Sequence, residues 1–215
     1  MADTVIATLG DSVTYAVRQG ISETQTYSYL LESELRAQGL AVKVIKCGLG
    51  GETTAGALAR LDQILALGPN YLTVMYGLND AAFPPDAAEP RVPLGEYADN
   101  LKSIIARVRA AGSQPVLMTP NPYVTVGAFR EAIASHPPYN TSPSVNFMLI
   151  HYANAVKEVA AALGVPLIDI FGEFASLAIS GVSLEERIPD GVHPDALGHG
   201  IIARALTRYF AQALK

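Results

Sequence analysis

TVIATLGDS, residues 4–12, is the stretch from which the fold is predicted. Residues 4–9 are β-branched and aliphatic and end at a Gly-Asp-Ser turn, a pattern typical of a buried parallel strand followed by a loop. Ser12 therefore follows the carboxyl end of a predicted strand. Ligands bind at that edge of open α/β sheets, so the Ser12 hydroxyl is a candidate nucleophile. Gly, Asp and Ser also form ordinary turns and helix N-caps, which is the alternative interpretation of this tripeptide.

Further strands alternate with helices along the rest of the chain. Short apolar runs predict strands at residues 42–45, 71–75, 114–118 and 166–170. Helical spacing of apolar residues predicts helices at 26–38, 54–67, 94–111, 145–163, 172–178 and 196–214. This alternation predicts a parallel sheet with helices on both faces. We expect a long loop at residues 119–144, and loops of that length at a catalytic edge often form lids or substrate walls.

Polar or glycine-rich motifs follow four of the five predicted strands. Ser12 follows the first strand, Gly51 the second, Asn79 the third, and Asp190 with His193 the fifth. Right-handed crossovers bring the carboxyl ends of parallel strands to one side of a sheet. The sequence therefore predicts that these motifs, distant along the chain, share one rim.

The residue types at this rim are those that acyl transfer requires. A serine hydroxyl needs a base within hydrogen-bond reach and an acid that orients the base, and His193 with Asp190 three residues earlier can supply both. Donors must also face the oxyanion that develops during attack. The backbone N–H groups of Ser12 and Gly51 and the side-chain amide of Asn79 are the candidates.

Four sequence blocks now identify a family. They are Gly10-Asp11-Ser12, GLGGET at 48–53, Gly77-Leu78-Asn79-Asp80 and Asp190-Gly191-Val192-His193, and in this order they resemble those of the GDSL esterases and lipases, also called SGNH hydrolases. The resemblance extends from residue 4 to beyond residue 199. It implies a flavodoxin-like three-layer αβα sandwich with a five-stranded parallel sheet, the SGNH hydrolase fold. It also implies a Ser12 nucleophile, a His193 base oriented by Asp190, an oxyanion hole of Ser12, Gly51 and Asn79, and neither metal nor organic cofactor.

Two positions depart from the family pattern. Val13 replaces the usual leucine, and Lys46 stands where the second block often has an asparagine. Neither position is catalytic, although Lys46 could alter hydrogen bonding behind the second loop.

Other polar residues near the motifs receive structural interpretations. We expect Asp11 and Asp80 to hold turns, His199 to be half-buried or on the surface of the last helix, and Cys47 to be a buried small side chain. His136 and His151, in or after the long loop, are expected to be exposed to solvent. Four tyrosines near predicted rim loops could contact substrate or simply pack, and these are Tyr15, Tyr76, Tyr123 and Tyr139.

Composition limits the classes of partner and location. The 215 residues predict a single domain over 1–215, and the net charge of -5 with scattered basic residues disfavours nucleic-acid binding. One cysteine and four dispersed histidines give no metal-binding spacing. The first residues lack a signal peptide, and no apolar run is long enough to span a membrane, so we expect a cytoplasmic protein unless a signal peptide was removed. A homo-oligomer is compatible with the sequence.

The resulting prediction is a serine carboxylic-ester hydrolase that forms an acyl-enzyme. Its rim loops are rich in small, Pro and Tyr residues and lack a long apolar segment, which favours short-acyl esters such as acetylated carbohydrates as its small-molecule substrates. An acyl-CoA thioesterase or a lysophospholipase would use the same residues. A non-catalytic phosphate- or nucleotide-binding protein on a flavodoxin-like fold is the alternative outside enzymes.

Overall fold

Five parallel strands form the centre of the fold in a computed structural model, which describes residues 3–16, 20–84, 87–134, 138–142 and 144–215. The strands are β1 Thr4–Gly10, β2 Val42–Gly48, β3 Tyr71–Met75, β4 Gln114–Met118 and β5 Leu167–Ile168. Their order across the sheet is β2-β1-β3-β4-β5, and all four neighbouring pairs are parallel. The chain therefore reverses its direction of travel across the sheet after β2, which places a topological switch point between β1 and β3.

Helices cover the two faces of this sheet. They are α1 Ser12–Tyr15, α2 Tyr27–Ala37, α3 Thr54–Leu65, α4 Leu94–Ala110, α5 Gly127–Ala134, α6 Leu149–Leu163, α7 Ile170–Ile179, α8 Leu184–Arg187 and α9 Ala196–Ala213. Helix α2 packs on α9, whereas α4 packs on both α3 and α6. The apolar face of α9 is buried, with Ile202, Leu206 and Phe210 inaccessible to solvent. The predicted three-layer α/β architecture is confirmed.

The carboxyl edge of the sheet brings three loops side by side. Gly10 at the end of β1 is paired with Gly48 at the end of β2 and with Met75 at the end of β3. A Cβ atom at Gly48 would lie only 2.1 Å from the backbone nitrogen of Tyr15, so only glycine allows the loop after β1 to pass here. The absence of a side chain at Gly48 therefore makes room for the protein's own backbone.

Several predicted elements have different bounds in the structure. The segment 119–144, predicted as a loop, contains helix α5. Strand β5 has two residues where five were predicted, because the Asp169 side chain accepts a hydrogen bond from the Gly172 N–H and starts helix α7. Helix α6 begins at Leu149, four residues after its predicted start at Val145, and the predicted second strand continues beyond residue 45 to Gly48.

Among the residues that the structure describes, no helix is both long enough and apolar enough to cross a membrane.

Candidate active site

Ser12 is the first residue of the one-turn helix α1, directly after β1. The Asp11 side chain caps this helix by accepting a hydrogen bond of 2.9 Å from the backbone N–H of Val13. Val13 and Thr14 are buried on the inner side of the turn, while Ser12 is partly exposed. The cap and the buried neighbours therefore fix the backbone from which the Ser12 hydroxyl projects.

Ser12, His193 and Asp190 form a continuous hydrogen-bonded chain. Ser12 Oγ lies 2.8 Å from His193 Nε2, although the two residues are 181 positions apart. On the other side of the ring, His193 Nδ1 lies 2.8 Å from Asp190 Oδ2. An ionised carboxylate can only accept, so Nδ1 donates to Asp190, and in the neutral imidazole Nε2 then accepts from the Ser12 hydroxyl. This is the protonation state that a general base requires.

The local backbone holds Asp190 in its ionised form. Partial burial opposes ionisation, but hydrogen bonds from the His193 ring and from the backbone N–H groups of His193 and Val192 outweigh it and lower the pKa of Asp190 below its usual range. The loop is tied to the rest of the rim by Asn121, whose side-chain amide donates to the Val192 carbonyl at 2.9 Å. The orientation of the imidazole is thus set before any substrate binds.

Gly51 lies in the loop between β2 and α3, with a left-handed φ of 73°. The next residue, Glu52, is buried and anchors this loop from beneath. Its carboxylate accepts two hydrogen bonds from Arg60, at 2.6 and 2.5 Å, and one from the Tyr76 hydroxyl at 2.5 Å. Arg60 also donates to the Cys47 carbonyl at 2.7 Å. A buried, bidentate ion pair therefore supports the loop that carries Gly51.

Asn79 follows β3 in a loop that two buried tyrosines hold in place. The Tyr97 hydroxyl donates to the Tyr76 carbonyl at 2.9 Å, and the Tyr123 hydroxyl donates to the Leu78 carbonyl. Asn79 itself is partly exposed, and its Nδ2 lies 3.4 Å from Asp11 Oδ2. Its amide is consequently presented at the rim on a backbone with little freedom.

The expectation that Asp11 and Asp80 are structural residues agrees with their contacts. Asp80 is fully buried and its Oδ1 accepts from both the backbone N–H and the hydroxyl of Thr54, at 2.9 and 2.6 Å, which joins the start of α3 to the Asn79 loop. Burial raises the pKa of Asp80, against the effect of the Thr54 donors. Burial also raises the pKa of Asp11, to about 7, opposed by the hydrogen bond from Val13.

All the residues predicted for this rim except Asp190 line one pocket of about 470 Å³. Ser12, Gly51, Asn79 and His193 occupy its polar side. The rest of the lining is mainly apolar and consists of Leu78, Ala82, Phe83, Tyr123, Phe129, Ile133, Tyr139 and Val192. Asp190 lies behind the imidazole, in contact with it. The structure thus brings together the five predicted residues.

The apolar side of the pocket includes residues that sequence reasoning missed. Phe129 and Ile133 lie four positions apart on α5, the helix that was predicted as loop. Their i, i+4 spacing is the local signal that could have identified this helix. Tyr123 and Tyr139 do line the pocket, as two of the four suggested tyrosines. Tyr76 instead is buried beneath the Gly51 loop.

The remaining sequence candidates lie outside the pocket. His199 is 1% exposed and stacks on Tyr27, so the expectation of a half-buried or surface histidine is wrong. His151 is exposed, and His136 lies outside the described residues. Cys47 is partly buried and burial raises the pKa of its thiol, which fits a small packed side chain.

Lys46, in strand β2, contacts two residues that do not line the pocket. The Lys46 amine pairs with Glu23 at 2.6 Å and lies 5.8 Å from the centre of the exposed Tyr15 ring. Both contacts are made away from Gly51, so the departure from the family pattern at Lys46 leaves the Glu52 anchor of that loop in place.

A serine hydroxyl that is hydrogen-bonded to a histidine, with a carboxylate on the other ring nitrogen, is the arrangement that serine hydrolases share on several unrelated folds. The sequence matches the family model of the GDSL-like lipase/acylhydrolase family over residues 8–201. This chain belongs to that family, and it is a GDSL-type hydrolase of carboxylic esters.

Two relatives are named as esterases, and a solved structure shares the fold. An acetylxylan esterase of Geobacillus stearothermophilus is 26% identical over 178 residues, which cover 79% of this chain and 72% of the relative. A human isoamyl acetate-hydrolyzing esterase 1 homolog is 26% identical over 164 residues, which cover 73% of this chain but only 63% of the human protein. The crystal structure of a lipase/acylhydrolase from Enterococcus faecalis has the same fold, with a TM-score of 0.77, 22% identity, and coverage of 100% of this chain and 98% of that one.

Proposed function

We propose that this esterase hydrolyses short-acyl esters, such as acetylated carbohydrates, through an acyl-enzyme formed on Ser12. The observation that carries the proposal is the chain of two 2.8 Å contacts from Ser12 through His193 to Asp190, placed in the same pocket as Gly51 and Asn79. A phosphate-binding protein has no use for a base that is oriented in this way against a serine hydroxyl.

The contacts support a mechanism of two matched half-reactions. Ser12 Oγ attacks the ester carbonyl while its proton passes to His193 Nε2, and the negative charge on the carbonyl oxygen is met by the N–H groups of Ser12 and Gly51 and by the Asn79 amide. When the tetrahedral intermediate collapses, the C–O bond to the alcohol breaks and His193 gives the proton to that oxygen. A water molecule then loses a proton to His193 and attacks the acyl carbon. The bond from that carbon to Ser12 Oγ breaks, His193 returns the proton to Oγ, and the carboxylic acid leaves.

The proposed substrate class rests on the size of the pocket and on the relatives. A volume of about 470 Å³ lies at the lower end of the usual range for small-molecule sites and fits one small ester group with part of its alcohol. Two relatives are named for acetyl esters, one of xylan and one of an isoamyl alcohol. The acetyl group is the part that these two substrates share.

The apolar lining favours a second candidate function. Leu78, Phe83 and Phe129 present hydrocarbon to the pocket, and a longer acyl chain would bury this surface better than an acetyl group. An acyl-CoA thioesterase or a lysophospholipase would benefit from such a wall. Turnover of acetylated xylooligosaccharides, acyl-CoA and lysophospholipid by the same preparation separates these alternatives.

The proposed reaction is tested by hydrolysis of p-nitrophenyl acetate, butyrate and decanoate. Ser12→Ala removes the nucleophile and should lower kcat/KM by at least about a thousandfold, because members of a triad act as a unit. Ser103→Ala, which changes an exposed serine on α4, should have no effect. A Ser12→Ala variant that keeps its activity contradicts the proposal, while preference for decanoate over acetate contradicts only the short-acyl specificity.

The predictions on partners and location also remain proposals. A small ester is the expected partner, without nucleic acid, and a cytoplasmic location is retained with export as its alternative. Fractionation of cells that express the complete gene distinguishes the two locations.

A further inference from the structure

Arg91 connects two loops of the candidate active site that come from different parts of the chain. One of its terminal nitrogens donates to the backbone carbonyl of Gly51 at 3.0 Å, and the other lies 3.4 Å from the side-chain oxygen of Asn79. Gly51 is 40 residues from Arg91 and belongs to the loop after β2, whereas Asn79 belongs to the loop after β3. One guanidinium thus contacts two of the three residues proposed to hold the oxyanion.

The chemistry of a guanidinium determines which way the Asn79 amide faces. Arginine carries only donors, so the amide oxygen of Asn79 must be the atom directed at Arg91. The amide nitrogen then points the other way, and it lies 3.4 Å from the carboxyl oxygen Oδ2 of Asp11. A donor on one side and an acceptor on the other select a single orientation of the amide, in which its nitrogen faces Asp11, the residue directly before Ser12.

The backbone of Arg91 is well placed to serve as an anchor. Its N–H donates to the Ala82 carbonyl at 2.9 Å, and the N–H of Val92 donates to the Asp80 carbonyl at 3.1 Å. Val92 is buried, and its carbonyl accepts a hydrogen bond of 2.5 Å from the Tyr152 hydroxyl. The exposed side chain of Arg91 therefore extends from a fixed backbone, and within the described part of the chain it forms no ion pair with a carboxylate.

We propose that Arg91 is a positioning residue, which fixes the amide of Asn79 and, through the Gly51 carbonyl, the backbone of Gly51, so that Asn79 and Gly51 both present N–H donors to the developing oxyanion. The inference rests on the proposed function, because the oxyanion forms only in that reaction. It assigns no substrate contact to Arg91. Since the donors matter mainly when charge develops, loss of Arg91 should affect kcat more than KM.

The test compares Arg91→Met and Arg91→Lys with the wild type on p-nitrophenyl acetate. Arg91→Met should lower kcat about tenfold with KM nearly unchanged, in the range for loss of one charge-assisted hydrogen bond. Arg91→Lys keeps a donor and should recover part of this loss. Arg109→Met is the matched control, because Arg109, at the carboxyl end of α4, is also exposed and also donates to two oxygen atoms, the backbone carbonyls of Leu163 and Gly164 at the end of α6.

A double-mutant cycle shows whether Arg91 acts through Asn79. In an Asn79→Ala background, Arg91→Met should lower kcat by no more than about threefold, because only the Gly51 contact is then left to lose. An undiminished tenfold effect in that background, an unchanged kcat in the single variant, or an effect confined to KM would overturn the proposal. If Ser12→Ala keeps its activity, the proposed function fails as well. If Ser12→Ala is inactive and Arg91→Met is normal, only the role of Arg91 fails.

Discussion

Asp11 is a fully buried carboxyl group between the candidate nucleophile and the Asn79 amide. It caps α1 through Val13 and accepts from Asn79, so its position serves two of the loops that form the site. Burial, with a smaller contribution from the nearby carboxylates of Asp80 and Glu52, raises its pKa to about 7 against the hydrogen bond from Val13. The hydrogen bonds that hold these two loops thus involve a carboxyl group whose ionisation costs free energy in the folded protein.

This pKa predicts a pH dependence of stability. Between about pH 4 and pH 7 the unfolded chain has lost the Asp11 proton while the folded protein retains it, so the free energy of unfolding falls as pH rises and levels off above pH 7. Asp11→Asn removes this titration. The difference in the free energy of unfolding, variant minus wild type, should therefore increase as pH rises across this window. The increase should be at most about 1.4 kcal/mol per pH unit.

Urea unfolding at a series of pH values measures this difference. Asp99→Asn, which changes an exposed carboxyl on α4, serves as the control and should give a flat difference. A flat difference for Asp11→Asn as well would show that burial does not perturb this group.

Single site residues could be predicted from the sequence where they belong to a motif that follows a predicted strand. Ser12, Asn79 and His193 each follow a predicted strand, so topology alone places them at one edge. Arg91 belongs to none of the four sequence motifs, and its contacts to Gly51 and Asn79 arise only in the tertiary structure. No periodicity or spacing in the sequence encodes such a contact.

The junction of α3 with the loop before it depends on one ion pair. The Glu52 side chain is 4% exposed and its partner Arg60 22% exposed, and Tyr76 at the end of β3 completes the carboxylate's contacts. Arg60→Met leaves a buried carboxylate without its cation and should lower the free energy of unfolding by about 3 kcal/mol. Arg36→Met, which breaks an exposed pair with Asp3, should cost less than about 1 kcal/mol.

Guanidinium unfolding of the two variants provides the measurement. A double variant, Arg60→Met with Glu52→Leu, should recover part of the loss, because the uncompensated charge is then removed. Equal losses for Arg60→Met and Arg36→Met would mean that the buried pair does not support this junction.

Elements with strong periodicity or continuous apolar runs were predicted with nearly the observed bounds, as for β3 and β4. The predicted bounds were wrong where a side-chain hydrogen bond, and not an apolar pattern, determines where a strand ends or a helix begins. The Asp169 cap starts α7 early and shortens β5, and no apolar pattern signals this event. Helix α5 was missed because its eight residues lie within a segment rich in Pro and Asn, where the turn-forming residues dominate the local pattern.

The topology of the whole sheet brings the residues of the candidate active site together. The order β2-β1-β3-β4-β5 places the ends of β1, β2 and β3 together, and the loop before α9 returns to the same edge with Asp190 and His193. Ser12 and His193 meet across 181 residues only because the crossovers are arranged in this way. We propose that this contact makes Ser12 the nucleophile.

Reaction with a fluorophosphonate, followed by mass spectrometry of the digested protein, tests that claim most directly. The account predicts one phosphonyl group per chain on the peptide that contains Ser12, with loss of esterase activity in proportion to labelling. His193→Ala should slow the labelling by at least about a hundredfold, because the general base is gone. Labelling of a different residue with the same loss of activity, or full inactivation while Ser12 stays unmodified, would contradict the account.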